Sequence, residues 1–124
     1  SSLQFSGSNF SVEAWVYPTY FSTYVYENNI IVKEDNSNDA GFMLRTGEGG
    51  KLNFALGDGG GGWNELTSAT AVLSLNQWQH VAIQGRWNDG KNGVIEIWKN
   101  GAFQNSTPIL TNSLTTLSTM SAGK

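Results

Sequence analysis

Apolar and polar residues alternate along most of this chain with a period of two. Side chains on a strand point to opposite faces in turn, so this pattern predicts half-buried strands rather than amphipathic helices. Phe10, Val12, Ala14 and Val16 alternate with Ser11, Glu13, Trp15 and Tyr17, and Pro18 stops the run. Ile30 to Glu34 and Gly41 to Thr46 read as the next two strands. A Gly-Glu-Gly-Gly turn then sends Lys51 to Gly57 back as a hairpin partner. Leu66 to Leu75 predicts a further strand, after a loop running from Asp58 through four glycines to Trp63 and Asn64.

The stretch from Trp78 to about Gln104 is a β-meander written in sequence. Two alternating runs, Trp78–Trp87 and Val94–Lys99, are joined by Asn-Asp-Gly-Lys-Asn-Gly. The second run closes on Asn100-Gly101, a pair suited to a type I′ turn, in which both central residues take positive φ. That turn sets Lys99 opposite Ala102 and Trp98 opposite Phe103. The segment from Asn105 to Lys124 is rich in Ser, Thr and Asn; it is a loop laid over the sandwich or a weak edge strand. The fold class that follows is all-β: an antiparallel two-sheet β-sandwich of the jelly-roll kind.

Composition narrows the function. A chain of 124 residues is one domain, spanning 1–124, long enough to bury a single core. Seven Lys and Arg are scattered singly and the net charge is −3, so nucleic acid is not an expected partner. No apolar run approaches the roughly 20 residues of a membrane-spanning helix, so membrane insertion is not expected either. The absence of cysteine removes disulfides and Cys-type zinc sites from consideration.

Several segments in order resemble a known family. They are Phe10 to Pro18, Ile31-Val-Lys33, Gly41 to Arg45, Lys51 to Phe54, Gln77 to Ala82 and Ile97 to Gly101. Together they are similar to a laminin-G-like domain of the concanavalin A-like lectin/glucanase superfamily. The resemblance covers roughly residues 10–104 and implies a jelly roll, usually extracellular, often carbohydrate-binding or adhesive, and often with bound calcium. Family members usually add a strand before the Ser2-Leu-Gln-Phe5 segment and another at the C-terminal end. Their lack here suggests a fragment of a longer chain, whose unpaired strand edges pair with a neighbouring protein chain.

Candidate chemistry sits beside the core faces. Opposite the apolar face formed by Val12, Val81, Ile83, Ile95 and Ile97, the second face carries Glu13, Trp15, Tyr17, Trp78, His80, Glu96 and Trp98. Aromatic planes stack on the C–H faces of sugars and carboxylates accept hydroxyl protons. Trp15 and Trp78 recur in the family whatever the ligand, so they read as fold markers; His80, the single histidine, reads as a buried strand residue. Tyr17 and Trp98, beside Glu96, are the expected exposed ligand contacts. Trp63 and Asn64 in one loop, and Trp87, Asn88 and Asp89 in another, extend that set.

Asp35, Asn36 and Asp39 lie in the densest oxygen cluster and are the candidate calcium ligands. The alternative for the same residues is a plain polar hairpin loop with Asx turns. Catalysis finds no support, because the Glu-x-Asp-x-x-Glu run of the related glucanases is missing and Ile95-Glu-Ile-Trp98 offers a single carboxylate. The expected function is a non-catalytic carbohydrate-binding or adhesion module of a secreted or surface protein, with a glycan or surface glycoprotein as partner. The alternatives are a structural component of an assembly, such as a virion decoration, tail or surface-layer protein, and an accessory domain of a polysaccharide-degrading enzyme.

Overall fold

The alternating runs become the strands of two antiparallel sheets. The computed structural model describes residues 9–24, 28–35, 39–58, 62–87 and 92–110. Among these residues the strands are β1 (Asn9–Val16), β2 (Asn28–Asp35), β3 (Ala40–Thr46), β4 (Leu52–Asp58), β5 (Trp63–Thr67), β6 (Gln79–Trp87), β7 (Asn92–Lys99) and β8 (Ala102–Leu110). Sheet A has the order β1-β6-β7-β8 and sheet B the order β2-β3-β4-β5. The all-β sandwich read from the periodicity is the architecture observed.

The core lies between the sheets and is built from the predicted faces. Val12, Val81, Ile83, Ile95 and Ile97 of sheet A meet Phe42, Leu44, Leu52, Phe54, Leu56 and Leu66 of sheet B. Phe54 is fully buried, with its ring 5.9 Å from Phe10 and 6.3 Å from Phe42. Burying each such side chain contributes about 1.5–3 kcal/mol. Gly85 is needed beneath Phe10, since a Cβ there would stand 2.2 Å from the ring.

The meander forms as its turn residues dictate. Asn100 and Gly101 have φ of 49° and 77°, as a type I′ turn requires. Trp98 pairs with Phe103 and Lys99 with Ala102, in the expected register. The Trp98 and Phe103 rings meet edge to face at 5.6 Å. β8 runs to Leu110 and is the last strand of sheet A among the described residues, settling the early part of the Asn105–Lys124 segment in favour of a strand.

Two expectations about the middle of the chain need correction. Trp63 and Asn64 do not belong to the glycine loop; they open β5 and pair with Gly57 and Leu56. The strand expected over Leu66 to Leu75 ends at Thr67. Ser68 accepts from the Leu52 amide through Oγ and donates to the Thr70 carbonyl, which turns the chain out of the sheet. Val72 and Leu73 then enter the core from a loop, with both amides donating to the Gly50 carbonyl. Periodicity alone cannot separate an apolar loop anchor from a strand residue.

Candidate functional site

Sheet A turns its second face outward, and the register decides which side chains share it. Trp15 pairs with His80, and Glu13 with Ala82 and then Trp98 across the sheet. Trp15 and Trp78 are each 66% exposed and Tyr17 is 45% exposed. The Trp15 ring lies 5.4 Å from His80 and the Tyr17 ring 5.6 Å from Trp78. These aromatics form a strip along β1 and the start of β6. Its central part is an open groove of about 610 Å³ lined by Trp15, Trp78, His80 and Asn100.

Each wall of the groove is held by its own local interaction. His80 Nε2 stands 3.3 Å from Glu13 Oε2, a diagonal pair across β1 and β6. The His80 amide donates to Asn100 Oδ1 at 2.9 Å, and the Asn100 amide returns a bond to the His80 carbonyl at 2.8 Å. Trp78 is placed by its neighbour Gln79, which is buried on the inner face. Gln79 Oε1 accepts from the Ser74 amide, and Nε2 donates to the Ser74 and Gln77 carbonyls. This clamp closes the loop entering β6 and fixes where Trp78 emerges.

The expectations for these residues are partly reversed. Trp15 and Trp78, read as fold markers, are both strongly exposed, and His80 is half-buried at the surface rather than in the core. Their exposure follows from strict alternation with Val12, Ala14 and Val16 on β1 and with Val81 and Ile83 on β6. Trp98 is half-buried, and its indole N–H donates to Glu96 Oε2 at 3.3 Å. Glu96 is 8% exposed and its other oxygen accepts from Arg86. Both Glu96 oxygens therefore have protein partners. Asn100 is a groove residue that the sequence reading did not single out; its place on the turn facing β6 was the available signal.

The remaining candidates scatter. Trp63 lies at the far end of sheet B, where its indole donates to Asp39 Oδ1 at 2.9 Å. Asn64 follows it on β5, away from the groove of sheet A. Trp87 is the last residue of β6 and pairs with Gly93. Asn88 and Asp89 lie outside the described residues. Among the metal candidates, Asp35 ends β2, Asn36 lies outside the described residues, and Asp39 has a left-handed backbone with φ of 45°. Among the described residues no three His, Cys, Asp or Glu side chains converge to hold a metal ion.

A second hollow lies at the end of the sandwich next to Tyr17. Val16, Pro18, Thr19, Tyr20, Asn28, Asn29, Ile30 and Thr46 line it together with Tyr17, around about 440 Å³. Glu13 and Glu96 do not face each other, since β6 separates their strands. Among the described residues no helix is long and apolar enough to cross a membrane.

Neither a curated protein nor a solved structure matches the chain. A family model described as the concanavalin A-like lectin/glucanases superfamily matches residues 1–123. With the two antiparallel sheets and the register above, the chain belongs to the laminin-G-like branch of the concanavalin A-like lectin/glucanase superfamily.

Proposed function

We propose that this domain is a non-catalytic carbohydrate-binding module, acting in a secreted or surface-exposed protein. The observation that carries the reading is the exposed strip of Trp15, Trp78 and Tyr17 on the outer face of sheet A. A soluble domain gains nothing in stability from leaving two tryptophans in water, whereas a flat aromatic surface stacks well on the apolar face of a pyranose. His80, Glu13 and Asn100 border the strip and supply donors and acceptors for ring hydroxyls. Members of this superfamily commonly bind carbohydrates or mediate adhesion.

The non-catalytic part rests on the carboxylates. Glu13 pairs with His80, and Glu96 with Arg86 and Trp98, so neither is held ready as a nucleophile beside a second acid. The test is a glycan array probed with wild type and with Trp78→Ala. Binding to a defined glycan that disappears in the variant supports the reading. Absence of binding to every glycan, together with concentration-dependent assembly, would replace it with a structural role.

A further inference from the structure

The hollow beside Tyr17 contains two polar groups that the fold leaves unsatisfied. Asn28 Nδ2 and Thr46 Oγ1 are both buried and have no hydrogen-bond partner. The two residues are cross-strand partners on β2 and β3. Thr46 also pairs with Leu52, a core residue, so the pair points inward between the sheets. Across the gap stands Val16, the last inward residue of β1. The sandwich thus opens at this end into a slot with polar walls where apolar side chains would normally meet. Thr46 is only 7% exposed.

Orphaned buried donors cost about 1–3 kcal/mol each, and valine would fill the place of threonine without that penalty. Whatever occupies the open slot, water or a ligand group, meets these two atoms. The lining decides which class of ligand fits. Among the described residues, none of the nine around the slot carries a charge, and Thr19, Asn29 and Tyr20 at its mouth add a hydroxyl, a carboxamide and a phenol. An anionic ligand would find no countercharge among these described residues. A neutral group bearing several hydroxyls would satisfy the Asn28 amide and the Thr46 hydroxyl together.

Tyr17 lines this slot and also stands against Trp78 at the end of the aromatic strip. The strip therefore leads directly to the slot. We infer that the slot between β1 and the β2–β3 pair is a second subsite, in which Asn28 and Thr46 hydrogen-bond one residue of a neutral oligosaccharide whose neighbouring residues stack on Tyr17, Trp78 and Trp15. This inference rests on the carbohydrate-binding reading and adds to it the class of ligand, uncharged and more than one unit long.

The test is an NMR titration of the 15N-labelled domain. The probes are neutral gluco-, manno- and xylo-oligosaccharides of one to six units, with oligogalacturonates of the same lengths as the charged control. The expected result is that one neutral series shifts the Asn28 side-chain amide together with the Trp15 and Trp78 indole signals, and that affinity rises with length over the first units. Thr46→Val and Asn28→Ala then weaken the longer oligomers by about fivefold to tenfold, the equivalent of one lost hydrogen bond. Thr46→Val keeps or raises the melting temperature, which a hydroxyl with a structural role would not allow. Indole shifts without a response at Asn28, with wild-type affinity in Thr46→Val, would overturn the slot and leave the aromatic strip standing. Silence at both places would overturn the two readings together, and a preference for the galacturonates would overturn the neutral assignment.

Discussion

Tyr17 and Trp78 stand with ring centroids 5.6 Å apart at an interplanar angle of 57°. They come from strand ends far apart in sequence, one leaving β1 and one entering β6. Their contact joins the exposed strip on sheet A to the slot at the end of the sandwich. Four consequences for experiment follow from this arrangement and from what holds it in place.

Trp78→Ala and Trp15→Ala should abolish glycan binding while changing stability by less than about 1 kcal/mol, because both side chains are two-thirds exposed and each touches one ring. Array binding and urea denaturation on the same preparations check this. A large loss of stability in either variant would mean that the tryptophan is structural.

Gln79→Ala should destabilise the domain by about 2–3 kcal/mol, since it removes three hydrogen bonds and leaves backbone groups of Ser74 and Gln77 without them. It should also weaken glycan binding without touching the ligand, by freeing the loop that carries Trp78. Gln79→Glu keeps the acceptor but sets a buried carboxylate oxygen against the Ser74 and Gln77 carbonyls, so it should destabilise at neutral pH at least as much as alanine. Chemical denaturation with a parallel binding curve measures both effects.

Arg45 offers a control on the opposite sheet. It is buried on the outer face of β3, with Nε donating to Asn53 Oδ1 at 2.6 Å and Nη2 to Glu65 Oε1 at 3.0 Å. Arg45→Ala leaves the buried Asn53 Oδ1 without its donor, while Glu65, 37% exposed, turns to water, and should cost about 1–3 kcal/mol. Glycan affinity of the folded fraction should remain that of wild type, because Arg45 lies on the face of β3 opposite Thr46 and away from both the aromatic strip and the slot. Reduced affinity measured well below the melting transition would place the ligand on the outer face of sheet B instead.

Gly101→Ala should cost about 1 kcal/mol, because φ there is 77° and a Cβ is strained in that region even though no atom lies near it. Asn100 next to it lines the groove, so the variant also reports on how firmly the turn holds that wall. A shift in melting temperature measured by calorimetry gives the answer directly.

Much of the sandwich was legible in the chain because strand patterning is local. Period-two alternation identified the inner faces of β1, β6 and β7, and Asn100-Gly101 fixed the register of Trp98 against Phe103. The same alternation also implied that Trp15 and Tyr17 face away from Val12 and Ala14. Reading Trp15 and Trp78 as fold markers set that signal aside. β5 was misplaced because Val72 and Leu73 are apolar for a different reason: a loop inserts them into the core.

The amino-acid sequence by itself determined the class of fold, the faces of its best strands and the tight turn of the meander. These depend on neighbours a few residues apart. Only the tertiary structure decided which residues form a surface together. Trp15 meets His80 through the pairing of β1 with β6, and Asn28 meets Thr46 through that of β2 with β3. The slot opens where Val16 of one sheet faces those two residues of the other. Contacts of this kind join segments tens of residues apart, and they are set by sheet order and register, which no local pattern encodes.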